Sequence, residues 1–125
     1  ILAAETSEQD VLQARATYYG LMTEVDHNLG RLFNYLKESG QYESTLILFT
    51  SDHGEQLGDH YLFGKVGYFD SSYAIPLIIR VPENSFPASG KITGSDKQIN
   101  TFTEAIDVMP TILDWLEAEI PEECD

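Results

Sequence analysis

Residues 45–55, Thr-Leu-Ile-Leu-Phe-Thr-Ser-Asp-His-Gly-Glu, limit most tightly what this chain can fold into. The run Leu46-Ile47-Leu48-Phe49 is apolar without alternation. A strand with no polar face is covered on both faces, as in a parallel sheet between helices. The sequence therefore predicts a buried strand over Thr45–Thr50, ending in Asp52-His53-Gly54. An acid and an imidazole then stand at a strand's carboxyl end, where open α/β sheets hold their ligands. Taken alone, the triplet is also compatible with an ordinary turn, Asp52 capping it and His53 partly exposed.

The flanking segments fit an α/β domain. Ser7 and Asp10 form a capping box with Asp in place of Glu, and the pattern from there to Lys37 is that of one long helix. Leu21/Met22, Val25, Leu29, Leu32/Phe33 and Leu36 recur at three- and four-residue steps, which predicts a core-facing stripe. Gly40 suits the position just beyond the helix end. Gly20 and Gly30 each cost about 1 kcal/mol relative to Ala inside a helix. They predict close packing on a sheet at those points, or a break near Gly20. A second continuous apolar run, Ile75–Val81, predicts a second buried strand with Pro76 near its start. Residues 82–91 carry turn chemistry, Gln98–Phe102 reads as a short third strand, and Val108–Leu116 as a helix with Asp107 as its N-cap.

Between the two apolar runs lies a long stretch without period, Ser51–Ala74, rich in glycine, charge and aromatic residues. Loops longer than about 12–15 residues in a compact domain are usually functional or disordered. Tyr61, Leu62, Phe63, Tyr68, Phe69 and Tyr73 argue for order. Charge narrows the ligand. With 21 acidic residues against 7 basic ones, the net charge is −14, which repels nucleic acid and anionic membrane surfaces. An anionic substrate needs a local positive device here, a metal or a Lys. No apolar run approaches the roughly 20 residues of a membrane span, and no signal peptide is visible. One cysteine, Cys124, excludes an internal disulfide framework and favours a reducing compartment, the cytoplasm. With 125 residues there is room for one core, so residues 1–125 read as part or all of one domain.

Asp52 and His53 are candidate metal ligands. A mixed carboxylate–imidazole pair favours Mn, Zn or Fe over Ca, and Gly54 lets the backbone turn away at once. Two donors do not complete a site. Lys65, between Gly64 and Val66, is the candidate for an anionic oxygen, against the ordinary reading of a solvated surface Lys. His60 is a candidate general acid or a partner that orients a ligand, against a structural role. Arg80 is expected to pair with a carboxylate. Cys124 has no basic neighbour to activate it as a nucleophile.

Three blocks together, Thr50-Ser51-Asp52-His53-Gly54-Glu55-Gln56-Leu57-Gly58-Asp59-His60, Gly64-Lys65-Val66-Gly67-Tyr68-Phe69-Asp70 and Ile75-Pro76-Leu77-Ile78-Ile79-Arg80, closely resemble the C-terminal portion of the sulfatase family's catalytic domain, in the alkaline phosphatase superfamily. Tyr18–Asp26 with Leu29-Gly30, and Ala105–Leu113, are similar to two further blocks of that family. Asp-His, where many arylsulfatases carry Asp-Asn, looks more like the phosphonate monoester hydrolase and phosphodiesterase branch. The resemblance implies a three-layer α/β/α sandwich of alkaline phosphatase-like type, present here as a partial domain with a mostly parallel sheet. It implies a divalent metal held partly by Asp52 and His53, and Lys65 on the anionic oxygens of a small sulfate, phosphate or phosphonate ester. The family's nucleophile, a Cys converted to formylglycine or a Ser in Cys/Ser-x-Pro-x-Arg, is expected upstream, since that motif does not occur in these 125 residues. Ala74 stands where a basic residue is expected. The partner so implied is the remainder of the catalytic domain, without which the isolated chain is expected to be inactive; self-association is left open. The alternatives are a phosphodiesterase or phosphomutase on the same fold, or a non-catalytic interaction module.

Overall fold

Helix α1, Glu8–Glu38, starts and stops where its sequence signals lie. The Ser7 hydroxyl accepts from the Asp10 N–H, and an Asp10 carboxylate oxygen accepts from the Ser7 N–H at 2.9 Å, so the capping box is complete. At the other end Gly40 adopts φ +71°, and the amides of Gly40 and Gln41 donate to the carbonyls of Lys37 and Leu36. Those two bonds, one nested inside the other, form a Schellman motif, and glycine supplies its left-handed residue at no steric cost. The helix is continuous through Gly20 and Gly30, and a Cβ at either would meet nothing within 4 Å. The close packing or break predicted at these glycines is therefore not found among the described residues.

The computed structural model describes residues 6–82 and 98–124. The chain divides into two compact units, Ile1–Pro82 and Glu83–Asp125. In the first unit, α1 is followed by a 3-10 turn at Tyr42–Ser44, then strand β1, Ile47–Thr50, a long loop containing the one-turn helix α2, Asp70–Tyr73, and strand β2, Leu77–Arg80. The two strands pair antiparallel, Ile47 opposite Arg80 and Thr50 opposite Leu77. This corrects the parallel arrangement predicted from their unbroken apolar runs. Such runs indicate what covers a strand's faces and carry no information on its direction. Nor are the faces covered within this chain: Phe49, Ile78 and Ile79 are exposed.

The same holds for α1. Leu21, Met22, Val25 and Leu32 on the predicted core stripe are each at least half exposed. Among the described residues no hydrophobic side chain is fully buried apart from Pro82, and the other fully buried side chains are the polar Gln56 and Ser72. Arg80 closes the sheet's end as expected of a strand arginine among carboxylates. It pairs with Glu43 at 2.9 Å, donates to the carbonyls of Tyr42 and Thr45, and lies 3.9 Å from the centre of the Tyr42 ring.

In the second unit, a 3-10 turn at Ala105–Asp107 leads into α3, Val108–Trp115. Asp107 does not cap α3 with its side chain; its carboxylate accepts instead from the Glu104 N–H, tying down the preceding turn. Residues 98–102 are not a strand. Most of the predicted turn over 82–91 lies outside the described residues. No helix among the described residues is long and apolar enough to cross a membrane.

Candidate active site

The carboxyl end of β1 and the loop beyond it carry every candidate residue. Ser51 fixes the first turn: its hydroxyl donates to the His53 carbonyl at 2.7 Å. The His53 N–H donates to Asp52 Oδ1 at 3.0 Å, so the backbone itself orients the carboxylate. His53 Nδ1 lies 2.8 Å from the Gly54 carbonyl oxygen. A carbonyl only accepts, so Nδ1 carries a proton, which leaves Nε2 as the ring nitrogen that can ligate when the ring is neutral. That nitrogen sits 3.6 Å from Asp52 Oδ2.

A metal fits this pair. Two donors about 2.1 Å from one ion, at angles between octahedral and tetrahedral, lie about 3.0–3.4 Å apart. The observed separation is within a few tenths of an ångström of that, and a backbone carbonyl holding the far ring nitrogen is the usual support for a ligating histidine. Among the described residues no third His, Cys, Asp or Glu joins the two. The Asp52 carboxyl lies below its ordinary value of 3.8: desolvation pushes it up, but the charge of His53, hydrogen bonds from the His53 and Asp52 amides, and the field of Lys65 outweigh that. The carboxylate is thus held ionised, the form that ligates.

Gly54 is required by space. Its φ is not left-handed. Its amide donates to the Ser72 carbonyl at 2.8 Å, and a Cβ there would overlap the Ser71 carbonyl oxygen. This close approach brings α2 against the Asp52-His53 turn.

Lys65 is exposed, in a four-residue tip whose ends, Gly64 and Gly67, have φ +77° and +76°. Beneath it, Glu55 Oε1 accepts from the amides of Gly64 and Leu57, the Gln56 amide donates to the Gly64 carbonyl, and Gln56 Nε2 donates to the Val66 carbonyl. Helix α1 holds the next segment. Arg15 Nε donates to the Leu57 carbonyl at 2.8 Å and its Nη2 lies 3.6 Å from Asp59, while Gly58 passes so close to Val11 that a Cβ would come within 2.8 Å of it. Leu57, His60 and Tyr61 all have positive φ, a strained backbone that such tethers can hold. The His60 ring stacks on Phe69 at 3.9 Å between centres. A shallow groove of about 510 Å³ between α1 and this loop is lined by Tyr18, Glu55, Phe63 and Gly64 among others, but by none of Asp52, His53 or Lys65.

The structure thus sets Asp52 and His53 side by side, with Lys65 in the following loop near enough for its charge to act on Asp52, while His60 sits on an aromatic ring. Sequence reasoning did not find Arg15, Glu55, Gln56 and Ser72. Their partners lie up to 42 positions away and fall on no helix or strand period.

A strand thus delivers Asp52 and His53 into a turn pinned at Gly54, and an exposed lysine stands in the loop that follows. The chain belongs to the sulfatase family, whose model matches residues 3–118. It is 52% identical to the multifunctional alkaline phosphatase superfamily protein PehA of Trinickia caryophylli, over 98% of this chain and 22% of that protein. It is 38% identical to an arylsulfatase of Clostridium perfringens, over 88% of this chain and 22% of the relative. In structure it superposes on the phosphonate monoester hydrolase SpPMH of Silicibacter pomeroyi with a TM-score of 0.84 and 45% identity, covering 97% of this chain and 22% of that one. The chain therefore spans about a fifth of the length of these relatives.

Proposed function

We propose that this chain is the C-terminal portion of the catalytic domain of a metal-dependent ester hydrolase, acting on a small sulfate, phosphate or phosphonate ester, with a phosphonate monoester hydrolase-type activity. The observation that carries this reading is the Asp52 Oδ2–His53 Nε2 pair, 3.6 Å apart with Nδ1 committed to a backbone carbonyl. Asp52 and His53 would hold a divalent ion, Mn, Zn or Fe in preference to Ca. When bound, such an ion supplies Lewis-acid polarisation of an ester oxygen and lowers the pKa of a nucleophile beside it. Asp52 contributes a fixed negative charge and His53 a neutral donor. Lys65 places a cation where negative charge builds on the transferred group, which a chain of net charge −14 otherwise disfavours. His60, stacked on Phe69, is a candidate for proton donation near the leaving group.

The nucleophile, formylglycine or Ser, and the other metal ligands belong to the remainder of the catalytic domain. That domain is a three-layer α/β/α sandwich in this reading, which gives the exposed faces of α1 and the sheet their cover. Alone, the 125-residue chain would not turn over substrate. Its single cysteine suits a reducing compartment such as the cytoplasm.

The test uses the full-length protein. Asp52→Ala and His53→Ala are each expected to lose bound metal and to lower kcat/KM by about 10²-fold or more, together. Variants that keep both at wild-type level would refute the assignment. Comparing rates on an aryl phosphonate monoester, an aryl sulfate and an aryl phosphodiester separates the phosphonate reading from the sulfatase and phosphodiesterase ones. A non-catalytic interaction module would hydrolyse none of them.

A further inference from the structure

We infer that Glu55, seconded by Gln56, is the positioning residue for Lys65, a clamp that sets where the lysine's charge falls; this rests on the reading of Lys65 as the group that meets the substrate's anionic oxygen. The tip that carries Lys65 is open at one end and packed at the other. Gly64 and Gly67 bound it, both left-handed; a Cβ at Gly67 would come within 2.9 Å of the Phe69 ring, whereas one at Gly64 would meet nothing within 4 Å, so no packing holds the backbone at the Gly64 end. Lys65 itself is exposed. A flexible four-carbon stem on a glycine-bounded tip would spread its charge over many positions, and a displacement of about 1 Å can cost about 10²-fold in rate.

Among the described residues, the hydrogen bonds that restrain this tip come from one dipeptide. Glu55 Oε1 accepts the Gly64 N–H at 2.5 Å and the Leu57 N–H at 3.3 Å. The Gln56 N–H donates to the Gly64 carbonyl at 3.2 Å, and Gln56 Nε2 donates to the Val66 carbonyl at 2.8 Å. The residues immediately before and after Lys65 are thus both tied down, and the lysine's own side chain is left free. The bond to a carboxylate is the charge-assisted one and the stronger. Gln56 is 1% exposed, an amide buried to reach one loop carbonyl. The dipeptide is also continuous with the metal-ligand turn, since Glu55 follows Gly54 directly. Lys65 is therefore linked to His53 through Gly54 and Glu55, the hydrogen bond that the Gly64 amide donates to Glu55, and the peptide bond from Gly64.

The test is a double-mutant cycle in the full-length, metal-loaded protein, read on the ester it hydrolyses best. Glu55→Gln keeps an acceptor oxygen at the same reach and is expected to stay within about threefold of wild type. Glu55→Asp withdraws the acceptor by one methylene and Glu55→Ala removes it; both are expected to lower kcat/KM, Ala by about 10- to 100-fold, with bound metal unchanged. In a Lys65→Ala background the same substitutions should cost less than about twofold more, because the residue they position is gone. If Glu55→Ala does not fold, Glu55→Asp carries the cycle. Additive losses in the two backgrounds, or loss of metal in step with activity, would overturn the clamp. A Lys65→Ala variant as active as wild type would instead overturn the reading of Lys65, a result that the Glu55 variants alone cannot produce.

Discussion

At the scale of single residues, the Asp52-His53 turn is held by short-range bonds that leave Oδ2 and Nε2 for the proposed metal. Ser51 and the His53 amide fix the backbone and Asp52, and the Gly54 carbonyl takes the Nδ1 proton, so Oδ2 and Nε2 remain available. Gly54 is the residue on which this depends. Any side chain there meets the Ser71 carbonyl oxygen, and the Ser71 carbonyl carbon lies 3.1 Å from where a Cβ would sit. Backbone atoms cannot move aside as a flexible side chain can. Gly54→Ala is therefore expected to destabilise the protein by about 1–3 kcal/mol and to lower metal affinity, since relief requires moving either α2 or the turn. Denaturant midpoints with metal titrations check this, and an alanine variant with wild-type stability would show that the approach is not tight.

At the scale of elements, α1 is the best-specified part of the molecule, because both its ends are encoded locally. Its capping box sets a pH dependence. The Asp10 carboxyl is lowered from its ordinary 3.8 by the hydrogen bond from the Ser7 side chain first and that from the Ser7 amide second, with desolvation opposing. A group depressed in the folded state stabilises above its unfolded value and ceases to do so as pH falls through its folded one. Amide-exchange protection in the first turn of α1 is accordingly expected to hold above about pH 4 and to decline below 3.8, and Asp10→Asn should remove that decline. An Asp10→Asn variant with the same acid decline would assign it to another group. Helix α3 ends without the usual glycine. The Ala118 and Glu117 amides close a Schellman motif on Leu113 and Asp114, with Glu117 at φ +53°.

At the scale of the whole molecule, the described residues hold order with almost no apolar core. What binds the first unit together is polar: Arg15 to the loop, Glu55 and Gln56 beneath Lys65, Arg80 to the turn at Tyr42. The apolar stripe of α1 and the outer faces of the strands are surfaces of the kind that elsewhere form interiors. If the remainder of the catalytic domain covers them, Val25→Asp should cost about 3 kcal/mol or more in the full-length protein, through burial of an unpaired charge. In the isolated chain, where Val25 is 52% exposed, the same change should cost little. Denaturant midpoints for both forms decide it; equally small effects would mean that the stripe is uncovered in the longer protein too.

The sequence by itself determined what depends on neighbours along the chain. Ser7, Asp10 and Gly40 bounded α1, the apolar runs located both strands, and the blocks around Asp52-His53 and Lys65 marked the family. Each of these is set by backbone chemistry or by residues a few positions apart. Only the tertiary structure decided the rest. The strands' antiparallel direction depends on the path of the loop between them, which their composition does not record. The need for glycine at position 54 arises from Ser71, and the path of the loop through Gly64 and Val66 from Glu55 and Gln56. Those contacts join segments whose spacing follows no period, so they exist as information only once the chain has folded back on itself.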